Sequence, residues 1–544
     1  MNHFFKIFFL VLLFCGCKKD HNDKDSDAPK SKNNSDLLLD KNVISSYFET
    51  NSEKENIKNE VYLFYKNRGY QFAWFNQKGM SQAVPNFQNQ LQLYSNDFHD
   101  NTINIAQIDT LITIIKTSQT NQKVDEKQRS NAELLLTTTF FKYSEKAFTG
   151  TAKNLKSLDW FIPRYKKNYQ TVLDSLVLKD NSNKTYEPVN IYYSKLKEKL
   201  RLYRDIQKQG GFPLIKTDRK LIAVTESDSC LIPAKKRLFL SGDLVLDDKT
   251  IVFTDALETA VTHFQQRLGL PENGKLNTKT IVELNKTVDF RIKQMLINLE
   301  RLRWVPVEVE NDYLLVNIPE YKLHVFENKK LIWQTNVVVG KEAKQTNIFR
   351  GKISKIVLNP YWNIPTSIIA KEILPDLKRG PSYLSRNNME AVSGGKVLNA
   401  KTINWNKYSK NVPFQIRQKP GVENSLGKMK FLFPNNFNIY LHDTPSKDLF
   451  DKNKRDFSHG CIRVENPAKL ALYLLRNDKN WPQNAIDNVL KTNIETEIKL
   501  LPTMPVYITY FTAWVDSKGN LNFRNDVYNL DDALGKEIFD DQNK

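Results

Sequence analysis

The sequence predicts a multidomain α+β chain: a mainly helical first part, a small helical module, and a β-rich part interrupted by a long insertion. Three observations predict it. The chain has 544 residues, 40% of them apolar, enough for roughly three domains of about 150 residues each. From about Leu37 to Lys220 the apolar residues recur at helical spacing within a very polar text. From Tyr313 the period changes to alternation, in "YLLVNIPEYKLHVFENKKLIWQTNVVVG", which reads as a strand followed by a hairpin.

The N-terminus bears on the compartment. Lys6 precedes an apolar run, Ile7 to Phe14, then Cys15, Gly16 and Cys17. The run is too short to span a bilayer as a stable helix and reads as a signal-peptide core. Gly16 before Cys17 resembles a bacterial lipoprotein cleavage site, with Phe14 where Leu is usual and Leu13 one place earlier. An ordinary secretory signal is the alternative. Residues 1–16 are thus expected to be a signal peptide, and 17–40 a lipidated Cys17 with its tether. Residues 18–36 hold no aromatic side chain and almost nothing apolar, so they cannot bury enough surface to order themselves. No later stretch reaches the length of a membrane span.

Charge and cysteine usage exclude some classes. With 80 Lys and Arg against 61 Asp and Glu, the formal charge is +19, which favours polyanionic surroundings: nucleic acid, anionic lipid or an anionic wall polymer. RNA-binding signatures, zinc-finger spacings and basic heptads do not occur, which sets nucleic acid aside. Of four cysteines, processing would remove Cys15 and lipidate Cys17. Cys230 and Cys461 remain, and an exported protein could pair them. Cys230, in "SDSCLIPAKKRL", carries no partner signal and reads as buried and inert. A cysteine kept free in an oxidising compartment needs a reason, and catalysis is one.

In order along the chain, residues 41–240 read as a helical domain. "EVYLFYKNRGYQFAWFNQKG" (60–79) is a helix, a Gly-Tyr break and an aromatic cluster, and "AELLLTTTFFKYSEKAFTG" (132–150) is a buried helix closed by glycine. The aromatics there read as core rather than as a ligand platform. Residues 241–286 form a small unit: Leu257, Val261, Phe264 and Leu268 share one helical stripe, Gly269 ends the helix, and Asn277 or Thr278 caps the next. Val261, Phe264, Gln265, Gly269, Leu270, Gly274, Leu276, Thr280 and Leu284 resemble the pattern of the helical peptidoglycan-binding module; His263 reads as a surface residue. "INLERLRWVP" reads as an amphipathic helix ended by Pro306, within a connector over 287–310. Residues 311–510 are β-rich, with a turn at Glu327-Asn328-Lys329-Lys330. Their insertion, about 366–413, reads as helical and then irregular, broken at Gly380-Pro381 and Gly394-Gly395. A connection that long inside a β-domain is usually functional, often a lid. Residues 511–544 supply a last hairpin, turning at Ser517-Lys518-Gly519, and a tail.

The chemistry concentrates in "DFSHGCIRVENP" (456–467). A nucleophilic cysteine needs a base or cation that draws its thiol pKa from about 8.5 toward neutrality, oxyanion donors, most cheaply backbone N–H groups, and an open approach. His442 ends the strand "NIYLHD", with fifteen residues between it and Ser458, a distance that a loop and a tight turn can close on Cys461. Gly460 lets the backbone turn sharply, so that the N–H groups of Gly460 and Cys461 could converge. Arg463 could reach a substrate carboxylate. Two rival readings are open on spacing: a purely structural turn, and a zinc site of His442, His459, Cys461 and Asp443. The latter is awkward, because Cys and His separated by one Gly chelate a single ion poorly and no second cysteine is near.

His442, fifteen residues, then Ser458-His459-Gly460-Cys461-Ile462-Arg463 resembles the signature of the L,D-transpeptidases, the YkuD-type catalytic domain. "NPYWNIP" (359–365), "RQKPGVENSLGKMKF" (417–431), "YLHDTP" (440–445), "NIP" (317–319), "ERLRW" and "PVYITYFTAW" resemble its large YcbB-type branch, and "FYKNRGYQFAWF" that branch's helical scaffold domain. The resemblance covers nearly everything after the tether. It implies a helical scaffold, a peptidoglycan-binding-like module and a transpeptidase domain whose insertion caps the substrate. It implies an acyltransferase without metal or organic cofactor. Cys461 would attack the third residue of a tetrapeptide stem, meso-diaminopimelate; D-alanine would leave; an amine of another stem would resolve the thioester into a 3→3 bridge. His442 would be the acid–base. Tyr440 would line the pocket, Tyr361 and Trp362 would be walls or core, and Ser458 and His459 would hydrogen-bond the turn. The implied partners are peptidoglycan stems and glycan, with a lipid anchor placing the body in the periplasm on an envelope membrane; no protein partner is indicated. Resolution by water or a free D-amino acid, and a non-catalytic wall-binding scaffold, are the alternatives.

Overall fold

The structure, a computed structural model, describes residues 35–121, 125–152, 154–164, 167–178 and 187–540. The signal-peptide core, Cys17 and most of the tether lie outside the described residues. Among those residues no helix is long and apolar enough to cross a membrane.

The chain is multidomain and α+β, with a helical N-terminal region and a β-rich C-terminal domain. Helices Lys41–Thr50, Glu55–Asn67, Ala83–Phe98, Ile105–Asn121, Glu126–Ser144, Tyr169–Leu178 and Ile191–Lys208 build the first region. Caps mark where some start: the Asp40 carboxylate accepts from Asn42 N at 2.8 Å, and Asn190 Oδ1 accepts from Tyr192 N at 3.0 Å. The aromatic cluster after Gly69 is core: Phe72, Trp74 and Phe75 are buried, and Trp74 packs on Phe87 with ring centroids 5.3 Å apart.

The small module starts earlier than residue 241. Leu221–Ile222 pairs with Leu276–Asn277, Ser227 bridges to Val252, and helix Leu231–Leu240 packs on helix Asp255–Leu268. Short strand pairs carry too little periodicity to be seen in the text, which is why the boundary was misplaced. The motif residues serve the fold: Val261 and Phe264 are buried, and the Gln265 side chain holds the following loop, accepting from Asn273 N and Gly274 N at 2.9 Å each. His263 is not a simple surface residue. Its Nδ1 lies 2.8 Å from Asp243, whose buried carboxylate also pairs with Arg267.

Helix Val288–Trp304 is the hub. From Gln294 onward it is buried on all sides rather than amphipathic, because its charged residues there are paired inside the protein. Arg291 pairs with Glu283 of the module at 2.6 Å and Arg301 with Asp531 of the tail at 2.5 Å. Glu300 pairs with Arg303 and accepts from Thr151 N and Ala152 N at 2.7 and 3.0 Å. Asn298 exchanges hydrogen bonds with Thr512, and Gln294 donates to Arg524 O at 2.8 Å. One helix thereby ties the N-terminal region, the module and the C-terminal hairpin, Ala513–Val515 with Leu521–Phe523. A helix over Leu530–Asp540 follows the hairpin.

The β-domain closes on itself. Its ring runs Lys330–Gly340, Ile462–Val464, Leu441–His442, Met429–Leu432, Arg350–Leu358, Thr496–Thr509, Tyr313–Asn317, Lys322–Glu327 and back to Lys330–Gly340. Closure leaves few free edges. Asp456–Ser458 joins in parallel at the end of Lys330–Gly340. Asn328 and Lys329, at φ 49° and 62°, make the expected tight hairpin turn. The insertion is not irregular after its helices. It carries a four-stranded sheet, in the order Lys396–Leu398, Met389–Ser393, Gln415–Gln418 and Trp362–Asn363. Gly394 and Gly395, at φ 55° and 77°, are the two-residue turn of a hairpin, a signal that reading them only as a break overlooked. Ile364, Ile369, Leu374, Ala391, Trp405 and Ile416 give this cap a core of its own.

Gly150 has φ 92°, and a Cβ there would run into the Glu300 carboxylate. Gly150→Ala should therefore destabilise the chain by about 2 kcal/mol or more, measured as a lowered denaturant midpoint.

Candidate active site

Strand Leu441–His442 is the pivot of the site. On one side it pairs in parallel with Ile462–Val464, Leu441 opposite Ile462 and His442 opposite Arg463. On the other it pairs antiparallel with Met429–Leu432, His442 opposite Lys430. Ile462 N donates to Tyr440 O at 3.1 Å, which sets Cys461 beside Tyr440. Side chains alternate between the faces of a strand. Phe431, Leu441, Ile462 and Val464 point into the barrel core. Lys430, Tyr440, His442, Cys461 and Arg463 consequently share the outer face, roofed by the cap.

The sulfur sits among donors. The Tyr440 hydroxyl hydrogen-bonds Cys461, and the Trp362 indole hydrogen-bonds that hydroxyl in turn. The thiol itself lies 3.6 Å from the Asn438 carbonyl, to which it donates. Burial pushes the Cys461 thiol up, opposed by the hydrogen bonds from Tyr440 and then by the charges of Lys430 and Arg463. The resting group is a thiol. The expected drift toward neutrality does not occur, because desolvation outweighs the donors.

His442 is buried and neutral. Its Nδ1 bonds the Asp443 carbonyl. A carbonyl can only accept, so Nδ1 carries the proton and Nε2 is left as a base. Burial first, then Arg463 and, more weakly, Lys430 push its pKa down to about 3, against the Asp443 bond. Asp443 braces the strand end: its carboxylate accepts from Lys428 N and Thr444 N, each at 2.8 Å, and from Lys447 Nζ at 2.6 Å.

The turn before Cys461 is held from inside. Ser458 Oγ accepts from Gly460 N at 3.2 Å and donates to Cys461 O at 2.6 Å. The Gly460 N–H is therefore spent on the turn, and the expected pair of oxyanion amides reduces to Cys461 N–H. Gly460, at φ 114°, needs glycine for its backbone conformation. Its carbonyl accepts from Thr346 Oγ1 at 2.8 Å, and Thr346 N donates to Tyr528 Oη of the tail at 3.3 Å. Neither of those two residues stood out in the sequence. His459 does not bond the turn; its Nε2 lies 2.9 Å from Glu372 of the cap.

The remaining candidates divide. Trp362 reaches the site through Tyr440. Tyr361 lies at the root of the cap, its ring 4.2 Å beneath the Arg417 guanidinium. Arg463 has a buried Nε without a hydrogen-bond partner. The four side chains weighed as zinc ligands do not converge: the rings of His442 and His459, the Asp443 carboxylate and the Cys461 sulfur each engage different groups. Cys230 is buried and free, with its thiol pushed up to about 11 by burial and by Asp228. Lys430, invisible as a motif, belongs to the site by register.

A half-buried thiol, hydrogen-bonded by a phenol that stands two residues before a neutral imidazole on the same strand face, is an arrangement that cysteine acyl transfer could use. The comparisons specify the family. Residues 311–492 match the L,D-transpeptidase catalytic domain, and residues 59–200 match a scaffold domain. The chain carries an L,D-transpeptidase catalytic domain joined to a scaffold domain. A Haemophilus influenzae protein named "Putative L,D-transpeptidase" is 34% identical over 240 residues, 44% of this chain and 48% of that protein. The chain thus spans about half the length of this curated relative. Among solved structures, an L,D-transpeptidase of Stackebrandtia nassauensis is 14% identical, covering 53% of this chain and 97% of that one at TM-score 0.23. One of Xylanimonas cellulosilytica is 11% identical, covering 54% and 100% at TM-score 0.17.

The depressed imidazole has a consequence for stability. An unfolded histidine takes up a proton near pH 6.5, whereas buried His442 does so only near pH 3. The unfolded state binds more protons between these values, so stability falls as pH drops through that window, by about 1.4 kcal/mol per pH unit for one group. His442→Gln should remove that contribution, seen as a shallower acid limb when unfolding free energies of the two proteins are compared from pH 7 to pH 4.

Proposed function

We propose that the chain is a cysteine-dependent L,D-transpeptidase that forms 3→3 cross-links between peptidoglycan tetrapeptide stems. The observation that carries this reading is the shared outer face on which Cys461 adjoins Tyr440, and on which neutral His442, two residues after Tyr440, stands opposite Arg463. Cys461 Sγ attacks the carbonyl carbon of the third stem residue while His442 Nε2 takes the thiol proton. The Cys461 N–H faces the developing oxyanion. The tetrahedral centre collapses to a thioester, and the imidazolium returns its proton to the departing amine of D-alanine. An amine of a second stem then attacks the thioester, His442 takes its proton, and the thiol is restored. Atoms and charges balance without a metal or organic cofactor.

The flanking cations give His442 a specific role. Beside Lys430 and Arg463 an imidazolium is unstable, so the ring holds the proton briefly and gives it readily to the leaving amine. In the empty site the transfer from sulfur to ring is steeply uphill. A stem carboxylate pairing with Arg463 would offset that positive field and raise the basicity of His442, tying activation to substrate binding. The cap, with its own core and with Trp362 and Glu372 reaching the site, favours an amine acceptor over water. Lipidation at Cys17 would hold this body at an envelope membrane, in the periplasm, and the +19 charge suits an anionic wall.

Purified protein incubated with tetrapeptide muropeptides tests the reading by mass spectrometry. Wild type should release D-alanine and yield dimers joined between diaminopimelates, and Cys461→Ala should yield none. Dimers retained by Cys461→Ala would overturn the nucleophile, and tripeptide monomers alone would assign trimming instead of cross-linking. A carbapenem should also leave a mass shift on the tryptic peptide of Cys461 and none on that of Cys230.

A further inference from the structure

Lys430 is a cation in the heart of the site that no motif accounts for. It sits opposite His442 across the antiparallel pair, and its ammonium lies 4.1 Å from the centroid of the Tyr440 ring. That ring's hydroxyl is the one bonded to Cys461. Ammonium, aromatic face, hydroxyl and sulfur thus form one continuous line across three strands. The nearby acids are engaged elsewhere: Glu497 pairs with Lys355 at 2.6 Å, and Glu495 accepts from Tyr361 N at 2.7 Å. No ion pair involving Lys430 occurs among the described residues.

We propose that Lys430 is the positioning residue that makes Cys461 ionisable, acting through Tyr440. A cation on the face of a phenol polarises its O–H toward stronger donation, and the same charge lies close enough to oppose burial of the thiolate. The charged and titratable groups acting on this sulfur are Lys430 from one strand, Tyr440 from the next, and Arg463 from its own; His442 shares their face opposite Arg463, and Glu495 and Glu497 lie beyond Lys430. Arg463 flanks His442 from the opposite side, so the two cations are not equivalent. Among the described residues only Lys430 covers the Tyr440 ring. Because Glu495 and Glu497 are engaged elsewhere, its charge is available to the attacking thiolate.

The proposal rests on Cys461 as nucleophile, and its test separates the two. Alkylation of Cys461 by iodoacetamide is followed by peptide mass spectrometry between pH 6 and pH 11, in the full chain. Lys430→Met should move the midpoint up by about one pH unit and slow alkylation at neutral pH about tenfold. Lys430→Arg, which keeps the charge, should recover most of the rate. In a Tyr440→Phe background the effect of Lys430→Met should shrink, because the hydroxyl that relays it is gone. A Lys430→Met profile that superimposes on wild type overturns the proposal, as does a shift left undiminished by Tyr440→Phe. Should Lys430→Met fail to fold, Lys430→Gln is read by the same criteria. Failure of the underlying reading looks different: Cys461→Ala would still make dimers, whatever the alkylation profile.

Discussion

The parallel pairing of Leu441–His442 with Ile462–Val464 is the constraint on which the site depends. A single residue of slip would send His442 and Tyr440 into the barrel core and bring Leu441 to the surface. The apolar partners on the inner face prevent that slip: Leu441 and Ile462 are fully buried, and exchanging them for a histidine and a thiol would cost several side chains' worth of burial, each about 1.5–3 kcal/mol. Function on the outer face is therefore locked by packing on the inner one. The braces around the strand ends, Asp443 on one side and Ser458 with Thr346 on the other, fix what the register leaves free.

The electrostatics of that face resolve a conflict. A buried cysteine resists ionisation, and the usual remedy is an adjacent imidazolium. Here the imidazole is itself buried between two cations and cannot hold a proton at rest. The positive field that weakens His442 as a base is the same field that favours a thiolate. The two cations are placed differently: Arg463 flanks the ring from one strand, while Lys430, on the other, lies over the Tyr440 ring.

Much of this was readable beforehand, and what was not has physical reasons. Cys461, His442, Tyr440 and the glycine turn were visible because their chemistry is carried by short-range spacing. The hairpin at Asn328-Lys329 was visible because only a few residue types tolerate its backbone. Lys430 was invisible, since its membership depends on strand register across twelve residues and its own neighbours, Met429 and Phe431, look like ordinary core. The stretch 297–306 was read as amphipathic because Glu300, Arg301 and Arg303 look like a solvent face until the partners from other domains are in place. The Gly460 amide was misassigned because a glycine in a turn announces freedom, whereas Ser458, two residues earlier, consumes it.

The cap and the catalytic turn meet at His459 and Glu372, 2.9 Å apart, and this contact explains why the motif histidine faces away from the chemistry. The strand Asp456–Ser458 alternates: Asp456 and Ser458 are buried, whereas Phe457 is exposed. His459 continues the outward side and so can reach only the cap. Ser458 and His459 thus divide the labour of one short stretch, the first fastening the turn to itself and the second fastening it to the roof. An exposed pair of this kind contributes little to global stability. Its consequence is local: the roof is tied to the residue two places before the nucleophile, so any movement that opens the cap must break a contact made by the catalytic turn itself. The position of the cap and the geometry of that turn are then one variable rather than two.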